Sequence, residues 1–145
     1  MRIALGSLLA LSLVAGGCQT SRSQYPQDAK ALFGSYRAID AEGLFKVVAA
    51  EPEHFYIVDL RPYYIYAETH IPGAVSIPFH LLNERQSNIP KFEELVLYCD
   101  DRSCMLDDEA AKVLLQAGYR HINILDDGIK GWLDKGYPTS SGDKP

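Results

Sequence analysis

The sequence predicts one α/β domain, a doubly wound parallel sheet with helices on both faces. Three observations point to it. Residues 55–60 (FYIVDL) and 94–99 (ELVLYC) are short, almost continuous apolar runs, as strands covered on both faces require. Segments of helical periodicity separate the runs, so each strand returns to the sheet by a crossover. Finally, 145 residues with 47% hydrophobic content suffice for one core and not for two.

The first 17 residues stand apart from that domain. Met1-Arg2 gives a short positive start, and residues 3–14 form an apolar run shorter than the ~20 residues that span a bilayer. Ala15-Gly16-Gly17-Cys18 resembles the bacterial lipobox, with Ala15 where that motif usually carries Leu. The resemblance implies a lipoprotein signal peptide over 1–17 and a lipidated, palmitate-bearing Cys18 at the mature N-terminus. Gln19, in place of Asp, resembles a signal for outer-membrane delivery, so the expected location is the periplasmic side of the cell envelope. Residues 18–34 are polar and read as a tether, the domain as 35–139, and 140–145 as a flexible tail.

Within the domain, residues 36–39 predict a strand. Asp40 is the N-cap of a helix carrying Leu44, Phe45, Val47 and Val48, which Pro52 ends. After the strand at 55–60, a short aromatic helix runs through Tyr63, Tyr64 and Tyr66, and Ile71-Pro72-Gly73 turns into a strand at 74–77. A brief helix follows at 79–83, then the strand at 94–99. The helix after it has Ala110, Val113, Leu114 and Ala117 at i, i+3, i+4 and i+7, with Gly118 as C-cap. A last strand at 121–125 leads into a helix at 128–135, with Trp132 and Leu133 expected to face inward.

Without residues 1–17 the chain has 13 basic and 19 acidic side chains, a balance of −6, which excludes nucleic acid as a partner by charge. No basic cluster addresses anionic lipid, so membrane attachment would rest on Cys18. Of three cysteines, setting Cys18 aside leaves Cys99 and Cys104 free to pair in an oxidising compartment. His54, His80 and His121 have no ligand-like spacing with each other or with these cysteines, and no metal site is expected.

The chemistry centres on Cys99, at the carboxyl end of a buried strand, where ligand sites of open α/β sheets lie. The loop Asp100-Asp101-Arg102-Ser103-Cys104 runs from it into a helix beginning near Met105. Amides of such a loop and of the helix N-terminus favour a negative charge on the sulfur, which lowers a thiol's pKa. Against this stand Asp100, Asp101, Asp107, Asp108 and Glu109, with Arg102 as the single counted cation.

Four segments together resemble the rhodanese-like superfamily: Val58-Asp59-Leu60-Arg61, Thr69-His70-Ile71-Pro72-Gly73-Ala74, Leu97-Tyr98-Cys99, and Asp126-Asp127-Gly128-Ile129-Lys130-Gly131-Trp132. They stand in order and cover about residues 36 to 138. The resemblance implies the doubly wound fold and a cofactor-free sulfurtransferase carrying sulfane sulfur as a persulfide on Cys99. Its partners would be a sulfane-sulfur donor and a thiol acceptor. Asp100, Asp101, Arg102 and Ser103 would form the substrate loop, with Asp59, Arg61 and His70 in supporting roles.

The loop departs from many active members. It lacks Gly, begins with two aspartates and holds a second cysteine, as in a subgroup of exported forms. Its acidity disfavours thiosulfate as donor, and Cys104 is the candidate to resolve a Cys99 persulfide as a disulfide. The competing reading is a noncatalytic module of the envelope that binds a partner or senses oxidation. A phosphatase of this fold would need Arg six residues after the cysteine, where Met105 stands. Asp59 and Arg61 also fit a structural pair, His70 a hydrogen-bonded turn residue, and the tyrosine cluster and Trp132 packing.

Overall fold

The computed structural model describes residues 36–91 and 94–142. The expectations for the signal peptide, Cys18 and the tether lie outside the described residues. Five strands form one parallel sheet in the order β1-β5-β4-β2-β3: β1 (Arg37–Ile39), β2 (Phe55–Asp59), β3 (Val75–Ser76), β4 (Glu94–Tyr98) and β5 (Ile122–Leu125). The α-helices are α1 (Ala41–Ala50), α2 (Tyr63–Glu68), α3 (Leu82–Arg85), α4 (Leu106–Gln116) and α5 (Gly128–Asp134). The doubly wound α/β architecture expected from the sequence is present. Among the described residues no helix is long and apolar enough to cross a membrane.

The period of two along a strand divides the core between the two faces. On one face Leu95 and Leu97 of β4 pack with Ala110, Ala111, Leu114 and Leu115 of α4. On the other, Val96 and Tyr98 pack with Ala41 and Leu44 of α1 and with Ile129 and Trp132 of α5. Each fully buried aliphatic side chain contributes ~1.5–3 kcal/mol. β4, the middle strand of the five, is therefore covered on both faces, and its carboxyl end is held from both sides.

Local signals set most element ends. Asp40 caps α1, its Oδ1 accepting from the Gly43 amide at 2.7 Å. Helix α4 ends at Gln116, and Gly118 follows one residue beyond the cap with a φ of +97°. The amides of Gly118 and Tyr119 donate back to the Leu115 and Leu114 carbonyls.

Four expectations need correction. Leu133 is exposed: Tyr137 folds back to stack on Phe45 at 4.2 Å, and with Trp132 it fills the space against α1. In the tyrosine cluster only Tyr66 is core, donating to the Ala74 carbonyl at 2.8 Å, while Tyr63 and Tyr64 are exposed. The brief helix at 79–83 extends through successive 3-10 and α turns to Asn88. The tail is anchored in part, since Ser140 exchanges both backbone bonds with His70 and the Gly142 amide donates to Ala67.

Candidate active site

The connections that follow β2 and β4 leave the sheet in opposite directions, outward to β3 and back to β5. These two strands are neighbours, so their carboxyl ends meet at the topological switch point, where open α/β sheets place their ligand sites. Cys99 follows β4 directly and is buried. Its carbonyl accepts from the Ile129 amide at 3.0 Å, and the Asp100 carbonyl accepts from the Lys130 amide at 2.9 Å. The first turn of α5 thus holds the start of the loop.

Gly128 makes that contact possible. Its φ is +60°, and a Cβ built there would lie 2.6 Å from the Asp101 nitrogen and 2.7 Å from the Asp100 carbonyl oxygen. Gly131 is equally confined, because the Asp127 side chain lies over it. The Asp127 side chain therefore packs on its own helix, and Gly128 keeps the close approach to the loop.

The loop is organised by Asp101. Its Oδ1 accepts from the Ser103 amide at 2.8 Å and the Ser103 hydroxyl at 2.6 Å, while its carbonyl accepts from the Cys104 amide at 3.0 Å. These bonds, the Ser103 hydroxyl foremost, hold the Asp101 carboxyl below its ordinary range. The turn brings Cys104 back over the strand end. Cys99 and Cys104 are joined as a disulfide with their α-carbons 6.2 Å apart. The structure is thus that of an oxidised site.

Asp59 and Arg61 form a buried hook after β2. Arg61 Nε donates to Asp59 Oδ1 at 3.0 Å and Nη2 to Oδ2 at 2.6 Å, and the Arg61 amide adds a bond to Oδ1 at 2.9 Å. Nη2 also donates to the Thr69 carbonyl at 2.7 Å, fixing the end of α2. Burial opposes the Arg61 charge, but hydrogen bonding to and attraction by Asp59 outweigh it and raise its pKa. The guanidinium lies over the Tyr98 ring at 5.6 Å, and Nη1 is 3.9 Å from Asp100 Oδ1. Burial, then the Asp59 charge, push the Tyr98 phenol far up, so it remains protonated and accepts from the Ile71 amide at 3.3 Å.

His70 is fully buried and stacks on Tyr66 at 3.9 Å, with Nδ1 2.8 Å from the Tyr66 carbonyl. That is the bonded turn residue expected. Two features went unread in the sequence. Arg102 is not the only cation at the loop, because Arg61 reaches Asp100 from the neighbouring strand; Arg102 itself pairs with Asp126 at 3.0 Å. The Gly128–Ile129–Lys130 backbone is part of the site as well. Gly128 was visible as a motif residue, but the carbonyls it admits carry no side-chain signal.

Asp101, Arg102 and Ser103 also line an open cleft of about 510 Å³ with Asp127, Lys130 and Lys135 of the α5 region. Asp107 in the first turn of α4 is buried, and desolvation pushes its carboxyl up from 3.8 to about 6.

A buried cysteine at the switch point, clamped by a glycine-led helix and faced by a buried Asp–Arg hook, defines a class of domain. The rhodanese-like domain family matches residues 43–135, and the chain belongs to it. A sulfurtransferase of Allochromatium vinosum is 37% identical over 100 residues, 69% of this chain and 91% of that protein. The HTH-type transcriptional regulator Rv0324 of Mycobacterium tuberculosis is 34% identical over 93 residues; these are 60% of this chain but 41% of the regulator, so the chain spans less than half of that relative. Among solved structures, the BH2092 protein from Bacillus halodurans superposes with a TM-score of 0.68 at 29% identity, over 81% of this chain and 83% of that one.

Proposed function

We propose that the protein is a sulfurtransferase in which Cys99 carries sulfane sulfur as a persulfide and Cys104 closes the cycle. The observation that carries this reading is the bond from Cys99 to Cys104 at the carboxyl end of β4. In the reduced protein the Cys99 thiolate attacks the sulfane sulfur of a donor, expelling the donor's remaining thiolate and leaving Cys99–S–SH. An acceptor thiolate then takes the outer sulfur and returns Cys99. Alternatively, the Cys104 thiolate attacks the inner sulfur, forming the disulfide and releasing hydrosulfide, so that two thiols are oxidised as one sulfane sulfur is reduced.

The similarity to the Allochromatium sulfurtransferase supports the reaction class. The acidic loop favours uncharged or protein-borne donors over thiosulfate. Thiocyanate release from cyanide with several sulfane donors tests the reading: the reduced wild type should turn over and Cys99→Ser should not. No turnover with any donor contradicts it. In the same proposal the domain sits at the periplasmic face of the envelope on a lipidated Cys18, supported by the pattern of residues 1–18. A Cys18→Ser chain should leave the membrane fraction.

A further inference from the structure

We propose that the Cys99–Cys104 disulfide is opened at Cys104, by a dithiol reductant, with Cys99 as the leaving sulfur. This rests on the reading of Cys99 as the sulfur-carrying thiol, and it adds a second activity to the site: thiol–disulfide exchange with an external partner. The two sulfurs are not equivalent. Cys99 is 1% exposed, at the end of the central strand, with its backbone tied to α5 through Ile129. Cys104 is half-buried at the far end of the loop. The two residues after it, Met105 and Leu106, are 71% and 38% exposed, an apolar step beside the sulfur.

A thiolate must approach a disulfide along the S–S axis, behind the sulfur it attacks. Cys104 is the more accessible of the pair, between the exposed Arg102 and Ser103 and the exposed Met105 and Leu106. Cys99, by contrast, is buried at the end of β4. The leaving sulfur is then that of Cys99, the less accessible of the two.

An external thiolate bonds to Cys104 Sγ, the S–S bond breaks, and the electron pair leaves on Cys99 Sγ. With a monothiol, the nearby Cys99 thiolate attacks Cys104 again and expels the newcomer, because its effective concentration exceeds that of a second free thiol. A dithiol escapes this reversal: its own second thiolate attacks the mixed disulfide and releases Cys104, so the partner is oxidised and both cysteines are reduced. The reductant is therefore a dithiol.

The test uses the oxidised full chain with 2-mercaptoethanol as probe and iodoacetamide to trap the freed cysteine. Trypsin then cuts after Arg102 and separates the two cysteines for mass mapping. The expected product carries mercaptoethanol on Cys104 and the alkyl group on Cys99, in about tenfold or greater excess over the reverse pairing. Without iodoacetamide the mixed disulfide should not accumulate, whereas dithiothreitol should reduce the pair fully. The reverse pairing, an even mixture, or two alkylated cysteines before any thiol is added would overturn the proposal. Sulfur loading of the pre-reduced protein is independent of which sulfur is attacked, so its failure would count against the sulfurtransferase reading alone.

Discussion

The amide of Ile129 donates to the carbonyl of Cys99 at 3.0 Å, so the helix that closes the fold also sets the height of Cys99. Gly128 admits that contact at a φ of +60°, with no room for a Cβ against the Asp100 and Asp101 backbone. Gly128→Ala should cost about 1–3 kcal/mol in backbone strain, before the steric clash adds to it. Urea denaturation would measure the loss. Sulfur loading should fall further than stability does, because the loop itself is displaced.

The Asp59–Arg61 pair predicts a different signature. Asp59→Leu leaves the Arg61 guanidinium buried without its partner and should cost about 3–5 kcal/mol. Replacing both residues with leucine removes the stranded charge, so the double variant should recover part of that loss. A double-mutant cycle in urea tests this, and strict additivity would contradict the coupling.

Asp107 makes stability depend on pH. Its folded pKa of about 6 lies above the ordinary 3.8, so the folded state binds the proton more tightly and ionisation is destabilising. The loss should accrue as pH rises from about 4 to about 6 and stay constant above, amounting to about 1–3 kcal/mol. Asp107→Asn should therefore be more stable than wild type at pH 7.5 and show no such advantage at pH 3. Thermal melts at the two pH values decide it.

The sheet was legible because β2 and β4 are buried on both faces and their apolar runs have few other uses. Cys99 was legible for a related reason: a lone sulfur closing such a run falls at the switch point. The exposure of Leu133 was not, because helical spacing cannot show that Tyr137 returns to occupy its place. Nor was the reach of Arg61 toward Asp100, since these residues are distant in sequence and meet only through the pairing of β2 with β4. The tail was misread because its anchorage lies in the backbone groups of Ser140 and Gly142, to which side-chain chemistry gives no clue.

In the proposed function Cys99 carries the sulfur. The most direct measurement is the intact mass of the reduced protein after incubation with a sulfane donor, followed by peptide mapping. Wild type should gain the mass of one sulfur atom on Cys99. Cys104→Ser should hold that sulfur longer, because it lacks the thiol that expels it as hydrosulfide. No gain on Cys99 with any donor, or an equal gain in Cys99→Ser, would contradict the account.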